Sequence, residues 1–471
     1  MTPGMEARRV SLDRSGIVWP MGACTDVVAL GGTYCMSCYR IAGGVPLDGT
    51  VSVSGSKNGS LPLLAAALLV DGEVVLHNIP DIRDIRTMIG MLRTLGARAA
   101  YRDDGALVID SSTVNAVSAP YDLVRRMRGS FYVAGPLLTR FGEAQVPLPG
   151  GCVIGSRPVD LHVKGFKALG AEVEEKYGVM HAKATRLKGT RIDMDPRLRS
   201  VGATVNLMLA ATLAEGTTVI ENASREPEVV NCQELLAACG ADLEGIGTTT
   251  LRITGVDRLE GTEWSAISDR MEAGTYLIAG ALTRGDVTVE PLEPEHLRMV
   301  IEFLEEAGCR LEMGERSVRV RMDRRPEAVD VMTAPYPGYP TDLQPNTGVL
   351  MSIARGAAVI EETLFDARFN YVDELLRMGA NVRVMEGAAI FKGVPQLFGA
   401  PVVATDIRAG AALILAGLAA EGVTEVSGGA LVDRGYEDIP GKLRQLGARI
   451  EELPEIDTET DPETSDAECL V

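Results

Sequence analysis

Histidine is scarce in this chain. Only four, at positions 77, 162, 181 and 296, stand among 471 residues, and they are far apart. No histidine-built metal-ligand cluster follows from that spacing, so metal-independent chemistry with no cofactor is the default. The eight cysteines (24, 35, 38, 152, 232, 239, 309 and 469) are scattered through a long chain. That excludes a small disulfide framework and suits a reducing cytoplasm. Cys35-Met36-Ser37-Cys38 is a lone CxxC without a second pair at zinc spacing, and it reads as incidental. Aromatic residues make up 4% against 46% hydrophobic residues in all, so the core must be aliphatic. No apolar run reaches membrane-spanning length. With 46 basic against 65 acidic residues the net charge is −19, which argues against general nucleic-acid binding.

The charge is uneven. From Glu451 to the end stand nine acidic residues and no Lys or Arg, leaving 56 acidic against 46 basic residues elsewhere. The acidic tail, 454–471, is expected to be solvated and disordered. Residues 1–35 are read as a poorly ordered extension. Met36 offers an alternative start, because the first strand-like pattern opens at Tyr39-Arg40-Ile41.

Glycine, by contrast, is plentiful, with 51 residues, and part of it is periodic. One unit recurs: a small-residue helix, a glycine, a β-branched strand, a second helix ending in Gly, then another strand. The leading glycines (72, 142, 216, 285, 356, 422) are 70, 74, 69, 71 and 66 residues apart. A second glycine follows each after 23 to 28 residues (96, 170, 240, 308, 379, 447). Its place after a helix suits the left-handed cap conformation. Six βαβ-type units exclude a simple dinucleotide-binding fold, whose glycine fingerprint is also missing. They divide naturally as three plus three, giving two similar domains with a cleft between them, where ligands favour binding.

Two stretches carry chemistry on local grounds. Leu148-Pro149-Gly150-Gly151-Cys152-Val153-Ile154-Gly155-Ser156-Arg157-Pro158 places a cysteine on a turn of glycines and prolines, five residues before an arginine. An accessible thiol beside a cation is the setting of a reactive cysteine. A free cysteine is more often a small buried hydrophobe, and the loop alone leaves both readings open. Ser54-Gly55-Ser56-Lys57-Asn58-Gly59-Ser60 runs from an alternating strand into the helical Leu61-Pro62-Leu63-Leu64. Free N–H groups at a helix N-terminus, with a lysine charge added, suit a phosphate or carboxylate. The P-loop order is absent, and a plain strand-to-helix turn with an exposed lysine fits as well.

Read together, the motifs are more specific. Gly55-Ser56-Lys57-Asn58, Met127-Arg128, Pro149-Gly150-Gly151-Cys152, Arg157-Pro158-Val159-Asp160-Leu161-His162 and Ser200-Val201-Gly202-Ala203-Thr204 occur in this order. Pro340-Thr341-Asp342, Thr405-Asp406-Ile407-Arg408 and Asp433-Arg434-Gly435-Tyr436 follow them. Over roughly residues 36–453 the chain resembles the UDP-N-acetylglucosamine 1-carboxyvinyltransferase family of enolpyruvyl transferases. The resemblance implies two inside-out, barrel-like α/β domains of three repeated units each, with the active site in the interdomain cleft. The first domain would span 57–267, with its reactive loop at 148–158, and the second 36–56 together with 268–453.

The implied substrates are phosphoenolpyruvate and UDP-N-acetylglucosamine, and the implied reaction is enolpyruvyl transfer to the sugar 3′-hydroxyl with release of phosphate. By resemblance Cys152 is the general acid, Asp342 the base near the sugar hydroxyl, and Lys57 and Arg434 stabilise developing charge. Lys57, Asn58, Arg157, Arg408 and Arg434 would hold phosphoenolpyruvate, whose two anionic groups suit guanidinium forks. Arg128, Arg157, Pro158, Val159, Asp160, Leu161, Ser200, Val201, Gly202, Asp342 and Leu364 would hold the sugar nucleotide. Asp269 and Asp406 would orient neighbouring groups. The family often has Lys just before Ser200, whereas Leu198-Arg199 stands here, with Arg199 as a substitute. A monomer in the cytoplasm, binding neither nucleic acid nor membrane, is expected. The rival readings are transfer to shikimate 3-phosphate and a catalytically silent paralogue that binds sugar nucleotide.

Overall fold

The computed structural model describes residues 37–149 and 159–453. The expected extension 1–35, the residues Gly150, Gly151, Cys152, Arg157 and Pro158, and the acidic tail lie outside the described residues.

Six helices form the interior: α1 (Lys57–Ala66), α2 (Ala134–Phe141), α3 (Val201–Ala211), α4 (Arg270–Leu282), α5 (Gln344–Ser352) and α6 (Ile407–Ala419). All thirteen residues of α4 and all nine of α5 are buried, polar ones such as Arg270, Glu272, Gln344 and Asn346 included. Six small sheets lie outside them, five of four strands and one of three. Their strands alternate buried and exposed residues, as in Ala357–Glu361 and Asp286–Glu290, so each sheet has one face inward and one toward solvent. Helices inside and sheets outside make each half an inside-out α/β domain.

The repeat is more regular in space than in sequence. In the first unit Glu73–His77 does not pair with Arg98–Tyr101, the strand after the second helix. A further strand, Leu107–Asp110, lies between them and is antiparallel to both. The βαβ-type unit is therefore a β-α-hairpin, usually completed by a parallel strand on the other edge, here Glu263–Ser265. In the sixth unit the middle strand comes from the start of the chain. Cys38–Ala42 lies antiparallel to both Val423–Ser427 and Arg449–Leu453. Tyr39 and Ile41 are wholly buried there, and burying a side chain such as Ile41 stabilises by about 1.5–3 kcal/mol. Likewise Asp48–Ser52 is the parallel edge of the fourth sheet.

All six closing glycines adopt φ between 86° and 103°, which a Cβ would strain. Five leading glycines also lie at positive φ, and the fourth unit departs. There Arg284 takes φ 56°, while a Cβ on Gly285 would lie 2.1 Å from the Leu47 carbonyl oxygen. Two hydrophobic cores result. One draws on residues 61–266, the other on 39–53 and 271–450.

Candidate active site

Five of the eight motifs singled out in the sequence, those of Lys57, Arg128, Ser200, Asp342 and Arg408, lie at or just before the N-terminus of an inner helix. Ser56 caps α1 by accepting from the Gly59 amide at 3.1 Å, and Ser200 caps α3 by accepting from the Ala203 amide at 3.2 Å. Asp269 caps α4 through bonds of 2.8 and 2.9 Å from the Met271 and Glu272 amides. Asp406 caps α6 through 2.8 and 3.1 Å bonds from the Arg408 and Ala409 amides. Short 3₁₀ turns, Arg128–Val133 and Thr341–Leu343, lead into α2 and α5. Helix N-termini present amides and positive potential, so this arrangement favours anions.

Asp269 does a second job. Its Oδ2 accepts from the Lys57 amide at 2.9 Å, tying the start of α1 to the start of α4 and so one core to the other. The Lys57 ammonium lies 3.0 Å from Asp84, whose other oxygen accepts from Arg434 Nε at 2.9 Å. Asp84 is almost fully buried. Burial opposes its charge, but Lys57 and Arg434 outweigh that and hold its carboxyl below the usual range.

A second carboxylate, Asp342, also lies between two cations. Arg408 donates through Nε (3.1 Å) and Nη2 (2.9 Å) to Oδ2, and Arg368 donates to Oδ1 at 2.7 Å. Both arginines are nearly inaccessible, with side chains 5% and 2% exposed, whereas Asp342 is 25% exposed. Burial works against the Arg408 charge, yet Asp342 raises its pKa further above the ordinary value. Asp406 helps to aim this arginine by capping its helix, and it accepts from Asn370 at 3.2 Å. Leu364 reaches the same turn through Glu362, which accepts from the Leu364 amide (2.9 Å) and from the Thr341 hydroxyl (2.7 Å). That amide is committed, so the Leu364 backbone offers its carbonyl.

A third group gathers around His162. Its Nδ1 pairs with Asn206 Nδ2 at 3.0 Å, and the amide nitrogen can only donate, so the ring is neutral with its proton on Nε2. Burial and then the Arg128 charge hold the imidazole down at about 3. A Cβ on Gly202 would lie 3.2 Å from Nε2, so the glycine lets the start of α3 close onto the ring. Arg128, His162 and Gly202 are thus brought together. Val159 and Leu161 pack partly against the first core, and exposed Asp160 pairs with Lys164 at 3.3 Å. Arg199 takes φ 39° directly before the cap, and its buried Nε has no hydrogen-bond partner. Val201 is half-buried in the first turn of α3, and Asn58 in the first turn of α1.

Three contributors were missed in the sequence. Asp84 sits on the buried face of its helix beside Ile85, Met88 and Ile89, so an acid at an apolar-phase position was the available signal. Arg368 lies among Phe365, Phe369 and Tyr371 with no comparable signal. His162 closes the Arg157–His162 motif, whose residue types alone assign it no role. Among the described residues no group of His, Cys, Asp or Glu is placed to hold a metal ion. No helix there is long and apolar enough to cross a membrane.

Paired inside-out domains with cations gathered at inner-helix N-termini are the build of an enolpyruvyl transferase. The chain belongs to that family, since the model described as EPSP synthase (3-phosphoshikimate 1-carboxyvinyltransferase) matches residues 41–443. It is 48% identical over 415 residues to UDP-N-acetylglucosamine 1-carboxyvinyltransferase 3 of Caldanaerobacter subterraneus subsp. tengcongensis, covering 88% of this chain and 99% of the relative. It is 49% identical over 418 residues to the protein of the same name from Symbiobacterium thermophilum, covering 88% and 98%. Among solved structures, the enolpyruvyl transferase NikO from Streptomyces tendae superposes with a TM-score of 0.82 at 26% identity, covering 89% of this chain and all of that one.

Proposed function

We propose that this protein transfers the enolpyruvyl group of phosphoenolpyruvate to the 3′-hydroxyl of UDP-N-acetylglucosamine and releases phosphate, the first committed step of peptidoglycan precursor synthesis. The single observation that carries this reading is the set of four cations, Lys57, Arg434, Arg368 and Arg408, that share two carboxylates beside inner-helix N-termini. Cations gathered in this way within an acidic chain suit an anion, and phosphoenolpyruvate carries two anionic groups. Lys57, Asn58, Arg157, Arg408 and Arg434 bind it. Arg128, Arg157 to Leu161, Ser200 to Gly202, Asp342 and Leu364 hold the sugar nucleotide.

Asp342 takes the proton of the sugar hydroxyl as its oxygen bonds to the enol carbon, and Cys152 delivers a proton to the methylene carbon. The tetrahedral adduct then returns a methyl proton to the Cys152 thiolate and releases phosphate, restoring the double bond. Lys57 and Arg434 stabilise charge on the departing phosphate. Residues 57–267 form one domain and 36–56 with 268–453 the other, with the chemistry in the cleft between them. The protein works as a monomer in the cytoplasm and supports cell-wall biogenesis, cell shape and division.

Phosphate release tests the reading. The purified protein is mixed with phosphoenolpyruvate and either UDP-N-acetylglucosamine or shikimate 3-phosphate, and release is expected with the first alone. Release with shikimate 3-phosphate alone would overturn the acceptor. Sugar-nucleotide binding without release from either would leave a silent paralogue.

A further inference from the structure

A further charged cluster joins the two cores. Arg270, the first residue of α4, has a side chain 7% exposed and lies against two glutamates beside the first core. Its Nε donates to Glu228 Oε1 at 2.9 Å and its Nη2 to Glu228 Oε2 at 3.1 Å. Nη2 also donates to Glu226 Oε2 at 2.5 Å. Glu226 stands directly before the helix Pro227–Ala238, and its side chain caps none of that helix's amides. Its other oxygen, Oε1, instead accepts from the Tyr336 amide of the second core at 3.0 Å. The Tyr336 ring covers the Arg270 guanidinium, whose carbon lies 5.4 Å from the ring centroid. Both partners of Glu226 are donors, so only a carboxylate, with an acceptor on each oxygen, can serve both.

Tyr336 stands six residues before Asp342, and the stretch between them is tied to itself. The Gly338 amide donates to the Pro335 carbonyl at 2.9 Å, the Ala334 amide to the Tyr339 carbonyl at 3.0 Å and the Leu343 amide to the Pro340 carbonyl at 3.0 Å. The buried Tyr339 hydroxyl lies 2.5 Å from that of Thr347 on α5. Arg368, Arg408 and Glu362 fix the Asp342 turn within the second core, but none of them sets where that core stands against the first. On the proposed function that placement matters, because residues of the first core hold the sugar nucleotide whose hydroxyl Asp342 deprotonates. We propose that Glu226 is a positioning residue: through the Tyr336 amide it holds the Asp342-bearing stretch of the second core against the first. The proposal rests on the assignment of Asp342 as the base.

Three variants test it. Glu226→Asp keeps a negative charge beside Arg270 and a residue type favoured before a helix, but it is one methylene shorter and cannot span both partners. Glu226→Gln turns an amide N–H toward one of two donors whichever way it lies. Glu228→Gln removes the same charge from the same cluster and leaves the Tyr336 bond in place, so it reads the merely structural share. Hydrogen exchange at the Tyr336 amide should quicken about tenfold in both Glu226 variants and keep its wild-type rate in Glu228→Gln. Misplacing a reacting group by about 1 Å costs up to about a hundredfold, so kcat for phosphate release should fall about tenfold in the Glu226 variants, with KM for UDP-N-acetylglucosamine within about twofold of wild type. Glu228→Gln should keep its kcat even where its melting temperature falls as far. Wild-type kcat in the Glu226 variants, kcat losses that track melting temperature across all three, or unchanged exchange at Tyr336 would overturn the proposal. If the wild-type protein releases no phosphate, the functional reading fails on its own, and the exchange rates still decide whether Glu226 holds Tyr336.

Discussion

Asp84 and Asp342 have the same formula, one carboxylate between two cations, and opposite surroundings. Asp84 has a side chain only 4% exposed, and its partners Lys57 and Arg434 are 12% and 31% exposed. For Asp342 the order is reversed, with the carboxylate at 25% and its arginines at 2% and 5%. In the first cluster the carboxylate is the hidden member and the cations are the more exposed ones, so it is a fixed counter-ion to two positive charges, which on the proposed function face the substrate. In the second the cations are hidden and the carboxylate reaches outward, where it can exchange a partner or accept a proton. On the proposed function, burial more than charge separates a support from a reagent.

The largest expected effect lies at the outward carboxylate. Asp342→Asn should lower kcat by about 10²–10⁴-fold, the usual worth of a general base, with the fold retained. Phosphate release and circular dichroism check this, and a loss under tenfold would reduce Asp342 to a second counter-ion. Asp84→Asn should show the opposite balance. Removing the hidden partner strands two cations and should cost about 3 kcal/mol of stability, read by urea unfolding. A cost below about 1 kcal/mol would mean that solvent already screens Lys57 and Arg434.

The smallest effect is in pH dependence. Asp84 has a lowered pKa, so its stabilisation is present above the usual carboxylate range and fades as pH falls below it. Glu272 runs the other way. Burial raises it from 4.5 to about 7 against the opposing Lys442, so its contribution is full below about 4.5 and is lost as pH rises through 7. Melting temperatures from pH 3 to 8 should lose the acid-side fall in Asp84→Asn and the fall toward neutrality in Glu272→Gln. Unchanged curves would show that other groups set both limbs.

Much of the fold was legible because its signals are local. The six closing glycines announced left-handed caps, whereas the capping roles of Ser56, Ser200, Asp269 and Asp406 emerged only in the structure. What misled was pairing. The strand after each second helix looked like the partner of the first strand, yet a hairpin strand such as Leu107–Asp110 intervenes, and no short-range pattern says which strands will be neighbours.

The sequence by itself determined the number of units, the positive-φ turns, the glycine caps and the set of charged motifs, since each is fixed by period, backbone sterics or side-chain type within a few residues. Tertiary structure alone decided that Cys38–Ala42 completes a sheet with strands near residue 450, that Asp84 joins Lys57 to Arg434, and that Glu226 meets the Tyr336 amide. Those partners are tens to hundreds of residues apart. Their energies come from burial and charge meeting across space, and exist only once two cores have formed and brought the helix ends together.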